Sequence, residues 1–251
     1  MTSNFFWYEL MTTDVPAAET FYKTVVGWES EPFGGSGMGY IVLNAGKRGV
    51  GGLMAVPEGS GLAPAWVGYI FARNVDTATD GVAKAGGAVH RPPEDIPGVG
   101  RFSVVADPHG AMFMLLSPMG PDQPPASPMT PGHVAWHELY AGDLKQAFDF
   151  YAGQFGWTKG EAMDMGPMGT YQLFHAGGPD AVGGMMTKPD NVPAPVWLFY
   201  VYVSDIDAAA KRITDNGGQL LMGPMEVPGG GFVLQAKDPQ GATFALTGPR
   251  V

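Results

Sequence analysis

Trp-Tyr-Glu-Leu at residues 7–10 returns as Trp-His-Glu-Leu at residues 136–139, and the rest of the chain is arranged around these two stretches. Each copy is followed by an aspartate, Asp14 or Asp143, and by a helical pattern that closes on Phe-Tyr-x-x-x-x-Gly-Trp. Matching residues keep nearly the same spacing through both copies, which indicates a tandem duplication of one module.

Length, charge and cysteine content narrow the function classes. At 251 residues the chain can form one large domain or two small ones. It has no cysteine, so disulfides, thiolate metal sites and a cysteine nucleophile are excluded. The net charge of −10 disfavours nucleic-acid and anionic-membrane partners. No apolar run approaches the roughly 20 residues of a membrane span and no signal-peptide pattern is present, so we expect a cytoplasmic protein.

Each module is predicted to contain two successive groups of strands around a helix. In the first module, the first group has a strand at 5–13, a helix capped by Asp14, and strands at 39–44 and 49–56. The second group has a strand at 65–73, a helix capped by Asp76, and strands at 88–91, 101–106 and 111–116. The second module repeats this order, which predicts an α+β fold.

Prolines separate the two modules. We place the first domain at residues 1–118, a stiff proline-rich linker at 119–132, and the second domain at 133–251. A duplicated chain can build internally what single-module proteins build by pairing. We therefore expect a monomer with an internal pseudo-two-fold, with a homodimer as the alternative.

Several short motifs recur in the same order in both modules: Phe-Tyr-x-x-x-x-Gly-Trp, an Asp-containing start of the second helix, Ala-Gly-Gly or Asn-Gly-Gly after that helix, and Asp-Pro-x-Gly-Ala before the last strand. In this order the chain resembles the vicinal oxygen chelate superfamily, which contains glyoxalase I, extradiol dioxygenases and bleomycin-resistance proteins. The resemblance is to its duplicated, metal-poor branch. It implies tandem βαβββ units, two per half, whose curled mixed sheets form cups.

The resemblance also implies where a metal would bind, and this sequence departs from the pattern there. The ligand positions of the metal enzymes in this superfamily match apolar or indole side chains in this chain: Trp7, Ile70 and Met114 in the first module, and Trp136, Val201 and Ala245 in the second. None of these side chains binds a divalent cation. We therefore expect no metal ligands and no cofactor.

Glu9 and Glu138 are the candidate catalytic residues. Each lies two residues after its tryptophan, so the two side chains point to the same face of the strand. A carboxylate in an aromatic surrounding suits a general acid or base, or an anchor for a ligand. The structural alternative is that each glutamate pairs with Arg101, His175 or a backbone N–H group.

Aromatic side chains at matched positions are the candidate substrate-binding residues, because rings on an open sheet face can stack on a flat ligand. The alternative for at least half of them is core packing. Arg101 and His175 are added as polar candidates, Arg101 for an anionic or carbonyl group. The full set is Trp7, Trp136, Tyr40, Tyr171, Trp66, Trp197, Arg101 and His175.

Three functions are compatible with this pattern. The first is metal-independent binding of a small apolar or aromatic molecule in a cup, for resistance or detoxification. The second is a lyase, isomerase or hydroxylase-like enzyme with Glu9 or Glu138 as acid-base. The third is a glyoxalase I-like enzyme or extradiol dioxygenase with a non-standard metal site. Hydrolase and nucleotide-binding motifs are absent from the sequence.

Overall fold

A computed structural model of the chain describes residues 3–34, 39–120, 126–127 and 129–251. The elements of the first module are β1 (Phe5–Thr12), α1 (Val15–Val26), β2 (Glu29–Pro32), β3 (Ile41–Ala45), β4 (Arg48–Ala55), β5 (Ala65–Phe71), α2 (Val75–Lys84), β6 (Ala88–Ile96), β7 (Gly100–Ala106) and β8 (Met112–Pro118). Those of the second module are β9 (Val134–Ala141), α3 (Leu144–Phe155), β10 (Thr158–Asp164), β11 (Thr170–His175), β12 (Gly183–Thr187), β13 (Val196–Tyr202), α4 (Ile206–Asp215), β14 (Gln219–Val227), β15 (Gly231–Lys237) and β16 (Thr243–Gly248).

Each module forms one open, eight-stranded mixed sheet. The strand order is β2-β3-β4-β1-β5-β8-β7-β6 in the first and β10-β11-β12-β9-β13-β16-β15-β14 in the second. The first strand pairs in parallel with the fourth strand of its group, with Glu9 opposite Gly52 and Glu138 opposite Gly184. The predicted α+β class and the tandem βαβββ units are confirmed.

The two long helices begin and end where the sequence predicts. Asp14 accepts a hydrogen bond from the backbone N–H of Ala17, and Asp143 accepts one from Gln146. For α2 the predicted cap was wrong by two residues. The cap is Asn74, which accepts from the backbone N–H of Thr77, whereas Asp76 lies in the first turn.

Two strands were missed in the sequence. The outer strands β2 and β10 are mostly exposed, and β2 reads Glu-Ser-Glu-Pro, so neither shows the apolar alternation of a half-buried strand. β6 is also longer than predicted, because it continues through Pro92 and Pro93. Proline is tolerated there because β6 is an edge strand with register shifts.

The chain divides into two compact units, and each takes segments from both modules. One unit comprises Met1–Phe6, Gly68–Pro125 and Trp136–Trp197, and the other comprises Trp7–Val67, Ala126–Ala135 and Leu198–Val251. The boundaries 1–118 and 133–251 describe the sequence repeat, and as domain boundaries they stay a prediction. Of the predicted linker, 121–125 and 128 lie outside the described residues.

Each unit is built on one pair of helices. In the unit that contains Trp7–Val67, α1 packs with α4 around a core that includes Phe21, Ile213 and Phe244. In the other unit, α2 packs with α3, and Phe113 contacts the rings of Phe150 and Tyr151. Among the described residues, no helix is long and apolar enough to cross a membrane.

Candidate functional site

The first cluster consists of Trp7, Glu9, Tyr40 and Gly52. Trp7 and Glu9 share one face of β1, Tyr40 lies immediately before β3, and Gly52 lies on β4 between them. The indole Nε1 of Trp7 donates a hydrogen bond to Tyr40 Oη over 2.9 Å, and the Tyr40 hydroxyl is hydrogen-bonded to the carboxylate of Glu9. Glu9 is only 5% exposed, whereas Trp7 and Tyr40 are half-buried. The cluster thus places a buried acid beside two half-buried aromatic rings.

Gly52 makes this contact geometrically possible. Its missing side chain leaves room for the Tyr40 ring to lie across β4, and a methyl group at this position would overlap the phenol. Because Gly52 is the register partner of Glu9, the hydroxyl that lies over Gly52 is also beside the glutamate. The glycine therefore positions Tyr40 for its two hydrogen bonds.

The second cluster consists of Trp136, Glu138, Tyr171 and Gly184 and repeats the arrangement. Trp136 Nε1 donates to Tyr171 Oη over 2.8 Å, and Tyr171 is hydrogen-bonded to Glu138. Glu138 is 8% exposed, and Trp136 is half-buried. A methyl group on Gly184 would again overlap the tyrosine ring. The duplicated sequence thus builds the same hydrogen-bonded set twice.

The electrostatics of the two clusters are also alike. Burial, followed by the charge of Glu9, raises the pKa of Tyr40 well above its usual range, and the Trp7 N–H group opposes this shift only partly. Burial and Glu138 raise the pKa of Tyr171 in the same way. Both phenols therefore stay protonated at neutral pH and act as donors toward the glutamates.

Trp66 and Trp197 each belong to a chain of side-chain hydrogen bonds, one in each of the two cores. Trp66 Nε1 donates to Tyr22 Oη over 2.9 Å, and Tyr22 donates to Asp238 over 3.0 Å. Trp197, which is 3% exposed, donates to Tyr151 over 2.8 Å. These contacts support the core-packing alternative for both tryptophans, and we leave them out of the candidate site.

Arg101 is held by carboxylates on the surface. Its guanidinium donates two hydrogen bonds to Asp76, of 2.7 and 2.8 Å, and a third to Asp95. The Arg101 hydrogen bonds lower the pKa of Asp76 below its usual range. The second module contains a matching ion pair that sequence comparison missed, because Arg250 binds Asp207, the counterpart of Asp76. Arg101 therefore gives no reason to favour an anionic ligand at the first cluster.

His175 and His137 lie on different faces of their sheet. By alternation, His175 shares a face of β11 with Tyr171, and it packs closely enough on Gly160 that a methyl group there would lie 2.9 Å from its Nε2. His137 is buried, with Nδ1 2.7 Å from the carbonyl oxygen of Val182 and its ring stacked on Phe5. Burial lowers the pKa of His137 to about 4. By alternation along β9, His137 lies on the face opposite Trp136 and Glu138 and so points away from the second cluster.

A cavity of about 370 Å³ lies at the start of α3 and is lined by side chains that include Lys145, Phe148 and Gln172. Gln172 points to the opposite face of β11 from Tyr171. The cavity is therefore separate from the second cluster, and Gln172 uses its amide nitrogen on backbone carbonyl groups.

The positioning glycines were missed as site residues. The repeated Val-Gly-Gly at 50–52 and 182–184 was visible in the sequence, but a repeated glycine alone does not show what lies over it. The available signal was a glycine inside a predicted strand, which often marks a close approach, but only the strand register shows that each glycine lies opposite a glutamate.

A model of the Glyoxalase/Bleomycin resistance protein/Dioxygenase superfamily matches residues 4–115 and 130–246. The chain belongs to this superfamily. Among its relatives is CFP32 of Mycobacterium tuberculosis, named provisionally as a glyoxylase, which is 32% identical over 247 residues, covering 97% of this chain and 94% of CFP32. The anthracycline biosynthesis protein DnrV of Streptomyces peucetius is 29% identical over 255 residues, covering 96% of this chain and 91% of DnrV.

Solved structures of the superfamily have the same fold. The Mn(II)-bound glyoxalase from Novosphingobium aromaticivorans superimposes with a TM-score of 0.67 at 17% identity, covering 98% of this chain and 82% of that protein. The 2,3-dioxygenase LapB from Pseudomonas sp. KL28 gives 0.67 at 13% identity, covering 100% and 94%. At such identities the likeness shows the fold alone.

Four of the six positions that the resemblance matches to metal ligands carry apolar side chains inside the cores. Ile70, Met114, Val201 and Ala245 are buried and offer no oxygen or nitrogen donor. Among the residues that the structure describes, no three His, Cys, Asp or Glu side chains are grouped so that they could hold a metal ion.

Proposed function

We propose that this superfamily member binds a small, flat aromatic or largely apolar molecule at its two clusters, without a metal ion. The observation that carries the proposal is the repeated pairing of a half-buried tryptophan with a buried glutamate through one tyrosine hydroxyl. An indole that keeps part of its surface accessible can stack on a ligand ring. The polar atoms beside it can fix the ligand's orientation.

The relatives support an aromatic ligand class. DnrV is named for anthracycline biosynthesis, and anthracyclines are polycyclic aromatic compounds. We do not propose a metal-dependent reaction, because the positions that the resemblance matches to metal ligands carry aliphatic, thioether or indole side chains. Sequestration or detoxification of such a molecule is the role that we propose.

A second candidate function is acid-base catalysis by Glu9 or Glu138. Their position beside the tyrosine hydroxyls favours it, because a carboxyl group within hydrogen-bond reach of a bound ligand can act as a general acid or base. In this case the tyrosine hydroxyl would orient the carboxylate while the ligand ring stacks on the tryptophan.

Equilibrium dialysis with 2-methoxynaphthalene, a neutral two-ring probe, tests the binding proposal. The Trp7→Leu and Trp136→Leu double variant should weaken binding about fivefold at each cluster, since each site loses one stacking contact of about 1 kcal/mol. Trp66→Phe is the matched control: it removes a core hydrogen bond and should lower the melting temperature without changing the affinity. Unchanged affinity in the double variant would refute the proposed site.

Turnover separates the two candidate functions. An aromatic compound that is recovered unchanged from the protein supports binding alone. If a product forms, Glu9→Gln and Glu138→Gln should abolish its formation while binding persists. A loss of folding stability without a loss of turnover would assign the glutamates a structural role.

A further inference from the structure

The hydrogen-bond donors of both clusters are already used within the clusters. The indole of Trp7 has one N–H group, and it donates to Tyr40. The Tyr40 hydroxyl has one proton, which goes to Glu9. In the second cluster, Trp136 donates to Tyr171 in the same way, and Tyr171 donates to Glu138.

The polar atoms that each cluster can offer to a ligand are therefore acceptors. A phenol oxygen that accepts one hydrogen bond keeps a second lone pair, and a carboxylate has about four acceptor positions. Neither atom type can satisfy a ligand carbonyl or ether oxygen, and a negative ligand would meet a carboxylate in a chain whose net charge is −10.

The tyrosine rings pack directly on the glycines of β4 and β12. The Tyr40 ring fills the space above Gly52, and the Tyr171 ring fills that above Gly184. Each hydroxyl is thus fixed between an indole N–H group and a glutamate. Such a fixed arrangement selects by hydrogen-bond polarity, because a mismatched partner leaves a buried polar group unpaired.

We infer that the two clusters select aromatic ligands bearing a hydrogen-bond donor, a phenolic hydroxyl or an aromatic amine, over their methyl ethers and over anions. This inference rests on the proposed binding function and adds the chemical class of the ligand. The donor points to the glutamate and the tyrosine oxygen while the ring lies on the tryptophan.

The test compares four naphthalenes that share one ring system: 2-naphthol, 2-naphthylamine, 2-methoxynaphthalene and naphthalene-2-sulfonate. Equilibrium dialysis at neutral pH should give dissociation constants about tenfold lower for the naphthol and the amine than for the methyl ether. The sulfonate should bind most weakly. Equal binding of all four would overturn the donor selection and leave the ring-binding function standing, whereas no binding by any would overturn both.

Two double variants show whether the clusters cause the selection. Glu9→Gln with Glu138→Gln exchanges carboxylates for amides that also donate, so the preference for naphthol over its methyl ether should fall to nearly one. Tyr40→Phe with Tyr171→Phe releases both indole N–H groups, so the methyl ether should gain affinity. Thermal melts establish that each variant is folded. A preference that survives in both folded variants would place the selection elsewhere and refute the inference.

Discussion

The first strands of the two modules, β1 and β9, are alike on one face and different on the other. On the cluster face both carry tryptophan and glutamate, with the same hydrogen bonds. On the opposite face Tyr8 of β1 corresponds to His137 of β9. Tyr8 contacts the Phe199 ring at 5.0 Å, whereas His137 stacks on Phe5 at 5.1 Å.

The difference shows which contacts depend on one another. A packing position accepts either a phenol or an imidazole when a neighbouring ring packs against it. The cluster face offers no such freedom, because the indole, phenol, carboxylate and glycine fit only as a set. Replacing one member leaves a buried polar group unpaired.

The largest expected effect is a loss of folding stability at low pH, caused by His137 on the face where the two strands differ. His137 has a pKa of about 4 in the fold and an ordinary value near 6.5 when unfolded. Between these values the unfolded chain binds more protons, so stability falls as the pH drops from about 6.5 to about 4. The loss should reach about 3 kcal/mol. Chemical denaturation across this range measures it.

His137→Gln is the control for the pH dependence. Glutamine keeps an N–H donor for the Val182 carbonyl but does not titrate, so the variant should lose less stability between pH 6.5 and 4 than the natural protein. If the folding stability of the two proteins fell equally between pH 6.5 and 4, His137 would not be the titrating group.

Filling the space beneath the tyrosines tests whether the cluster behaves as a set. Gly52→Ala should cost about 2 kcal/mol of folding stability, because the added methyl group overlaps Tyr40, and Gly184→Ala should cost a similar amount. The same alanine in a Tyr40→Ala background should cost much less. Should the cost remain undiminished there, Gly52 does not act through Tyr40. Denaturant titration of the natural protein, the three single variants and the Gly52→Ala/Tyr40→Ala double variant measures these costs.

Removing a tyrosine hydroxyl from the buried hydrogen bonds of either core should cost less folding stability, and the costs of the two changes should differ in a predicted order. Tyr22→Phe removes the hydroxyl that joins Trp66 to Asp238 and should cost about 1–2 kcal/mol. Tyr151→Phe should cost less, because its hydrogen bond to Asp107 is longer, at 3.4 Å against 3.0 Å for Tyr22. Thermal unfolding of both variants checks the order, and a reversed order would contradict this account of the two cores.

The smallest effect concerns the start of α2. Asn74→Ala should cost about 1 kcal/mol, because it removes the side chain that accepts from Thr77. Asp76→Ala should cost less, because an exposed ion pair with Arg101 contributes little. Thermal melts of the two variants compare the costs. If Asp76→Ala were the more damaging change, the sequence prediction of Asp76 as the cap would regain support.

Much of the fold could be predicted because its signals are local. Asp14 and Asp143 each precede an apolar helical face, and such a cap acts on the nearest turn. The outer strands β2 and β10 gave no signal, because an exposed edge strand needs only backbone pairing. The pairing of α1 with α4 depends on residues far apart in the sequence.

The sequence predicted several residues of the site but not the contacts between them. Glu9 and Tyr40 were both candidates, yet their hydrogen bond depends on the register that places Gly52 beside Glu9. Trp66 and Trp7 also looked alike in the sequence. Only the structure shows that Trp66 donates within a core.

Chelation combined with metal analysis tests the central claim most directly. Binding of 2-naphthol to the purified, untagged protein would be measured before and after dialysis against a chelator, with elemental analysis of both samples. We predict unchanged binding and no stoichiometric metal, because the clusters hold the ligand through aromatic rings and oxygen acceptors. A metal bound at one or more per chain, together with loss of 2-naphthol binding on its removal, would contradict the account.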